Sequence, residues 1–546
     1  MEVSKASSFL REPVSRLLVL GVLFVAAFCL RLYRIGEPLF DFSPVRQYHS
    51  ALLARGFYEW LLTGNLKTMP PDGILEPPIL EGLASLSYLI FGGEHLWFAR
   101  LLSALFWMIG GIFVYLIARK IVSANAAVFA VAFYLFDPAA ILPSRAFMPD
   151  PLMIMMLVVS VFTILRYHEH PTMGRLMVAV AACSVAIFVK PGMCLFQIFG
   201  AFVALMVYRK GLLKTLTSVH LVLFTALSLL PVGLYYAGFL QGAAGDRIVA
   251  EFLTTFGFWK GWLGQIEYMV GFVAFAGALL GVLLLRPGSP RALMAGLWGG
   301  YLIFGLVFAR HVHTHDYYSL QLIPVVALSL GPIWDFFAAY LRRSASAHYL
   351  RATIVGVFLL ALALGVVEHR ATLLLIAQQG QGEAFPGRYV SHAMTADYER
   401  RAQVYREIGE VVDQSPHTIM LAPDYGYSLT YHGRLDGQFL LPESKSVYKD
   451  FARLRAEHSP RYVIVIKRFA HYNKQVDWGG TGKGKQYEAL RTLLTTNFTV
   501  VASDDAYVVF DLGKAGVGKN SQASGSERHS RGIRKHAACG ACAYRL

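Results

Sequence analysis

Apolar and polar positions follow one another along this chain in long blocks. Apolar stretches of about 18 or more residues recur from Leu17 onward, separated by short polar connections, and blocks of that length read as membrane-crossing helices. The pattern predicts about eleven spans, over residues 14–32, 96–118, 123–141, 150–166, 174–189, 193–208, 218–238, 267–285, 291–309, 317–340 and 352–368. Past residue 370 the blocks stop. Strand-like runs at Thr418–Ala422, Tyr462–Ile466 and Thr499–Asp511 then alternate with helix-like stretches 398–413 and 486–495, the pattern of a small α/β domain. The expected fold is therefore mainly α. It comprises a polytopic transmembrane helical domain over 1–370, a small extracytoplasmic α/β domain over 371–513, and a basic Gly/Ser-rich tail over 514–546 that reads as disordered.

Composition narrows the class. The 546 residues are 55% apolar and only 16% charged, which excludes an ordinary soluble enzyme. The net charge of +15 suggests nucleic acid until the basic residues are placed. With Lys5, Arg11 and Arg16 on the cytoplasmic side, the loops that fall inside carry Arg119 and Lys120, Arg166 and Arg175, Arg209, Lys210 and Lys214, Arg286 and Arg291, and Arg342, Arg343 and Arg351. Those loops are short and basic, as the positive-inside rule requires, so the charge belongs to topology and no nucleic-acid partner is expected. The first apolar run is too long for a signal peptide, and Arg31 and Arg34 stand at and just past its end, where a cleavage site would need small residues. It reads as a retained anchor. Five scattered cysteines make no disulfide framework.

The same partition puts the unusual polar residues on the outer side. Asp41, Arg46, Gln47 and Glu76 lie in the first outer connection, 33–95, where segments 44–62 and 79–91 are apolar enough to lie at the membrane interface. Arg145 and Asp150 flank Pro149 in the second, Lys190-Pro191-Gly192 forms the third, and Arg310 to Tyr318 forms the fifth. A polar cluster at a membrane surface points to binding or reaction, and a transporter would more often hold such groups at mid-bilayer on interrupted helices.

Each candidate has a plainer role beside the functional one. Asp41 can cap the helix that begins near Pro44, and Asp150 can cap its own span with Pro151 at the first helical position. Arg145 can pair with Asp150 or contact a phosphate. Lys190 can snorkel to the interface or hold a phosphate. Glu76 can orient an acceptor or bind a cation. His311, His313 and His315 alternate and would share one face in a strand; otherwise His315 and Tyr317 serve as donors to a sugar-phosphate. No metal site is assigned. Glu76, His313 and His315 are the residues that could form one, so a divalent cation, Mg or Mn, stays open as a cofactor.

Two motifs fail their context. Gly513 to Asn520 has phosphate-loop spacing, but Asn520 replaces the required Ser or Thr and no apolar helix follows. Cys539 and Cys542 with His536 supply too few ligands for a closed zinc site. Asp424-Tyr425-Gly426-Tyr427 and Tyr431-His432-Gly433-Arg434 read either as turns with packed tyrosines or as loops suited to sugar contacts.

Taken in order, Asp41 with Arg46-Gln47, Glu76-Pro77-Pro78, Arg145 to Asp150, Lys190-Pro191 and His315-Asp316-Tyr317-Tyr318 resemble the bacterial membrane glycosyltransferases of the protein-mannosyltransferase and aminoarabinose-transferase type. The resemblance covers residues 10–370 by motif and topology. It implies the GT-C fold and an inverting transferase at the cytoplasmic membrane, with its N-terminus in the cytoplasm and its site and C-terminal domain in the periplasm. Such an enzyme moves a hexosyl or pentosyl group from a polyprenyl-phosphate carrier to lipid A, a protein or a surface glycan. It also maps the family's catalytic acids onto Asp41 and Asp150, with Arg46, Gln47, Glu76, Arg145, Lys190, His315, Tyr317 and Tyr318 as substrate-binding residues. Two positions depart from the pattern: Phe42 stands where many relatives have a second acid, and Glu76 where the aminoarabinose transferases have lysine. The competing expectation from another class is a carrier or flippase for lipid-linked sugars that binds without turnover.

Overall fold

Residues 13–65, 76–239, 250–343, 348–370, 372–373, 398–440, 446–471, 474–478 and 485–515 are described by a computed structural model. Among them, seven helices are long and apolar enough to cross a membrane, or nine if each of two bent pairs counts as one span. The protein is a multi-pass membrane protein. Nine of the eleven expected spans fall on single helices, whereas 123–141 and 267–285 cross bends of 60° and 90° between two helices; Met173–Val189 and Leu195–Lys210 have only 17 and 16 residues. That is short of the roughly 20 residues that cross a bilayer core.

Helix ends explain where the polar segments sit. The first helix, Val14–Leu32, stops just before Tyr33, and a non-helical connection carries Asp41. Ser43 then takes a left-handed backbone (φ 40°) ahead of Pro44–Thr63, which begins on Pro44 and ends on Gly64 at φ 71°. Proline suits the first helical position and glycine the left-handed stop. Farther on, the Ala124–Phe136 helix bends by 60° into the segment that follows Pro138, and this break delivers the Pro143–Arg145 turn. Helices 195–210 and 289–307 cross at glycines: a Cβ on Gly296 would lie 2.3 Å from the Gly200 carbonyl oxygen. Small residues let helices approach closely where lipid supplies no hydrophobic drive between them.

The chain divides into two compact units, one over 1–390 and 395–402, the other over 391–394 and 403–546. The second is built on a five-stranded sheet in the order β2-β1-β3-β7-β6, with β1 Thr418–Leu421, β2 Gly437–Phe439, β3 Tyr462–Ile466, β6 Phe498–Ser503 and β7 Tyr507–Ala515. β1 pairs parallel with β2 and β3, while β7 runs antiparallel to β3 and β6. β4 Arg468–His471 and β5 Lys474–Asp477 form a separate hairpin. β1 and β3 are buried throughout, as expected for strands covered on both faces. β7 reaches Ala515, so the first two residues of the expected tail belong to the sheet. Gly513 to Ala515, the start of the phosphate-loop-like motif, lie in β7; the rest of that motif and Cys539 and Cys542 lie outside the described residues, as does Pro70-Pro71-Asp72-Gly73 of the first connection.

Candidate active site

Asp41 sits at the bottom of the first connection, 8% exposed. Its Oδ2 accepts from the Arg145 guanidinium at 2.9 Å and from that of Arg100, and its Oδ1 accepts from Gln47 Nε2 at 3.2 Å. Gln47 Oε1 in turn accepts from the Phe147 amide at 2.9 Å, which ties the start of helix 44–63 to the Arg145 segment. Arg100 also donates to the Ile35 and Glu37 carbonyls, at 3.1 and 3.0 Å, and Arg145 to the Arg31 carbonyl at 3.3 Å. Arg31 holds the other side of that turn through Ser144 Oγ at 2.7 Å. The residue before Asp41 is fixed from outside: the Arg401 guanidinium lies 4.2 Å over the Phe40 ring. Burial alone would push the Asp41 carboxyl up. The two guanidiniums and the Gln47 amide outweigh it and hold the group below the usual carboxylate range.

A second cluster gathers around Lys190. Its Nζ donates to both Asp150 oxygens, at 2.7 and 2.9 Å, and stands 4.0 Å from Glu76 Oε1. Glu76 pairs with Arg46 through its other oxygen. Lys190 also lies over the rings of Tyr317 and Tyr318, at 4.7 and 5.5 Å, a cation–π arrangement. Burial raises the Glu76 carboxyl, but Arg46 and Lys190 pull it below its ordinary value. Burial lowers the Arg46 guanidinium, and Glu76 more than restores it, so it stays charged. His315 is different. Burial, with His311, Lys190 and Arg46 nearby, lowers it to about 4, so its ring is neutral at pH 7. Asp316 moves the other way, raised to about 6 by burial and by Asp150.

Several expectations are corrected by this geometry. Arg145 pairs with Asp41, because the turn after Pro143 aims its guanidinium back toward the end of the first helix; Lys190 takes Asp150 instead. Neither acid acts as a side-chain helix cap: Ser43 occupies the cap position after Asp41, and Asp150 is itself the first helical residue. The three histidines do not lie in a strand. Ala309–Val312 is a helical turn, so His311 and His315 meet at i and i+4 with ring centroids 5.8 Å apart. His313 instead bonds the Ala309 carbonyl through Nδ1 at 2.6 Å and packs on Phe252 and Phe258. Glu76, His313 and His315 thus form no ligand set, and no group of three His, Cys, Asp or Glu among the described residues is placed to hold a metal ion.

Two further groups belong to the site. Arg100, wholly buried near the start of helix 96–121, lies inside an apolar run that reads simply as a span, although a charge within such a run is itself a signal. Glu81, 5% exposed, accepts from Ser50 Oγ at 2.6 Å and joins the two helices of the first connection.

The geometry can now be set beside known proteins. Residues 75–236, the stretch holding Glu76, Arg145, Asp150 and Lys190, match the family model of dolichyl-phosphate-mannose-protein mannosyltransferases. The structure of ArnT from Cupriavidus metallidurans bound to undecaprenyl phosphate superposes with a TM-score of 0.53 at 16% identity, over 90% of this chain and 97% of that one. The same protein in the apo state gives 0.52 at 16% identity with the same coverage. The chain has the GT-C fold of the protein-mannosyltransferase and ArnT type. No curated protein sequence matches it. The fold likeness covers 90% of the chain, more than the 162-residue stretch matched by the family model.

Proposed function

We propose that this GT-C protein is an inverting glycosyltransferase of the bacterial inner membrane, moving a hexosyl or pentosyl group from a polyprenyl-phosphate carrier to an acceptor on the periplasmic face. The acceptor is lipid A, a protein or a surface glycan. The observation that carries this reading is the gathering of distant segments into two buried clusters, residues 41, 100 and 145 in one and 76, 150, 190 and 317 in the other, to which adjacent residues of helix 44–63, Gln47 and Arg46, contribute. The undecaprenyl phosphate bound to ArnT supports the carrier assignment through the shared fold.

In this reading Asp41 takes the proton. An acceptor hydroxyl approaches Oδ1, its O–H bond breaks as the new C–O bond forms at the anomeric carbon, and the proton passes to the carboxylate. The anomeric bond to the phosphate breaks with its electron pair leaving on the phosphate. Attack opposite the leaving group inverts the anomeric centre. Lys190 and Arg46 neutralise the departing charge, one as a point charge and the other as a fork. Their low-dielectric surroundings make that stabilisation stronger than it would be in water. Arg100 and Arg145 keep Asp41 ionised and aimed, Asp150 fixes Lys190, and Tyr317 and Tyr318 line the wall beneath it. Glu76 holds Arg46, and neutral His315 offers a hydrogen bond without adding charge.

The test is turnover of purified protein in detergent with a panel of polyprenyl-phosphate sugars, beside Asp41→Asn. Release of carrier phosphate by wild type and not by the variant supports the transferase. Tight donor binding with no release, even with acceptor extracts, would favour a lipid-linked-sugar carrier instead.

A further inference from the structure

The second unit holds a feature that sugar transfer does not use. Directly after β1 and Pro423, three successive residues take positive φ: Asp424 at 57°, Tyr425 at 52° and Gly426 at 76°. Left-handed backbone normally occurs singly in L-residues, because Cβ crowds the following carbonyl, and a bulky tyrosine there is a true outlier. Such strain persists only where its surroundings over-determine it, and it gathers at binding sites.

The turn's place in the sheet is the second observation. β1 lies between β2 and β3, and all three run parallel. The chain leaves β1 to form β2 on one side, whereas β3 has β7 on its other side. The carboxyl ends of β1 and β3 therefore flank a point where strand order reverses, the place where open α/β sheets bind ligands. The left-handed turn sits at that end.

The side chains there suggest the ligand. Asp424 is buried, and its Oδ2 accepts from Ser428 Oγ at 3.0 Å. Around it stand three half-buried rings: Tyr425 contacts Phe439 edge-on with centroids 5.3 Å apart, and Tyr427 at 6.4 Å. Gly426 lets this group close up, since a Cβ there would meet the Met420 methyl at 3.3 Å. Aromatic surface beside a carboxylate suits a pyranose, whose C–H face packs on a ring while its hydroxyls donate to the acid. We propose that this end of the sheet is a glycan-binding site distinct from the Asp41 centre, with Tyr425 as the stacking platform and Asp424 as the hydroxyl acceptor.

Saturation-transfer NMR on the full chain in a non-glycosidic detergent tests this, with maltotriose, mannotriose and chitotriose as probes and an unglycosylated Ser/Thr-rich peptide alongside. Wild type and Asp41→Asn should bind at least one trisaccharide equally, because the transfer centre is not involved. Tyr425→Ala should weaken it about fivefold to tenfold, the scale of one aromatic contact. Tyr425→Gly separates binding from folding: glycine takes the turn without strain, so its thermal midpoint should lie above that of Tyr425→Ala while saccharide affinity falls as far. No saturation transfer to any trisaccharide overturns the proposal. So does an affinity unchanged in Tyr425→Gly, or binding of the peptide alone.

Discussion

The two charged clusters of the membrane unit use the same residue types to different ends. Around Asp41, one carboxylate faces two guanidiniums and an amide, every partner is buried, and the side chains carry a net positive charge. Around Lys190, two cations face Glu76 and Asp150, and the neighbours His315 and Asp316 are pushed toward their neutral forms. The first cluster is locked, with its acid ionised over any physiological pH. The second is balanced and bordered by groups that change charge within a few pH units. In the proposed transfer the locked carboxylate is unprotonated at any physiological pH but is the weaker base for it, while the balanced cation pair would meet an anion that must arrive and depart.

The contrast breaks most visibly at Asp41. Asp41→Asn keeps the shape but removes the charge, and carrier-phosphate release should fall at least about 100-fold while membrane insertion is unchanged. Activity within a few-fold of wild type would remove Asp41 as the proton acceptor. Next in size is Arg100→Ala, which leaves the Asp41 carboxylate with one guanidinium fewer in a buried setting. Breaking a buried pair costs about 3–5 kcal/mol, so thermal unfolding in detergent should shift down by several degrees. An unmoved midpoint would mean the pair contributes nothing to stability.

The Lys190 cluster is sharpened by a pair of variants. Lys190→Ala strands Asp150 and should both destabilise the protein and weaken donor binding. Adding Asp150→Asn removes the stranded charge, so most of the stability should return while donor affinity stays low. If donor affinity recovers with stability, Lys190 is a structural partner rather than a phosphate ligand.

The smallest effect is the most diagnostic, because two neighbours titrate in opposite senses. His315 drops from its ordinary value near 6.5 to about 4, so its contribution to stability is lost as pH falls from about 6.5 through 4. Asp316 rises from about 3.8 to about 6, so the folded state holds a proton that the unfolded chain has released, and stability falls as pH rises through that window. The two slopes oppose each other. Asp316→Asn should therefore make the thermal midpoint climb more steeply between pH 4 and 6.5 than in wild type, and His315→Gln should flatten or reverse it. Parallel profiles in all three proteins would show that neither group is shifted as described.

Much of this was legible beforehand, for a definite reason. Hydrophobic block length and the placement of Arg119, Lys120, Arg209 and Lys210 report directly on solvent preference, so the helical spans and their polar connections could be read without a structure. Asp41, Glu76, Asp150 and Lys190 stood out because charge beside an apolar block is costly. Pairing was not legible. Asp150 is five residues from Arg145 and forty from Lys190, yet it binds the lysine. The alternation His311, His313, His315 suggested a strand face, but a helical turn after Ala309 put His311 beside His315 and sent His313 into an aromatic pocket.

By itself, then, the sequence determined what each segment prefers to touch: lipid, water, or the border between them. Those are short-range free energies of transfer, written residue by residue. Only the tertiary structure decided which acid faces which base. That choice turns on a few ångströms and on the direction of side chains, and these are set by the bend after Phe136, the turn at Pro143 and the left-handed Ser43. Coulomb energy in a buried site falls off over such distances, so residues far apart in the chain become partners or bystanders according to how its helices break.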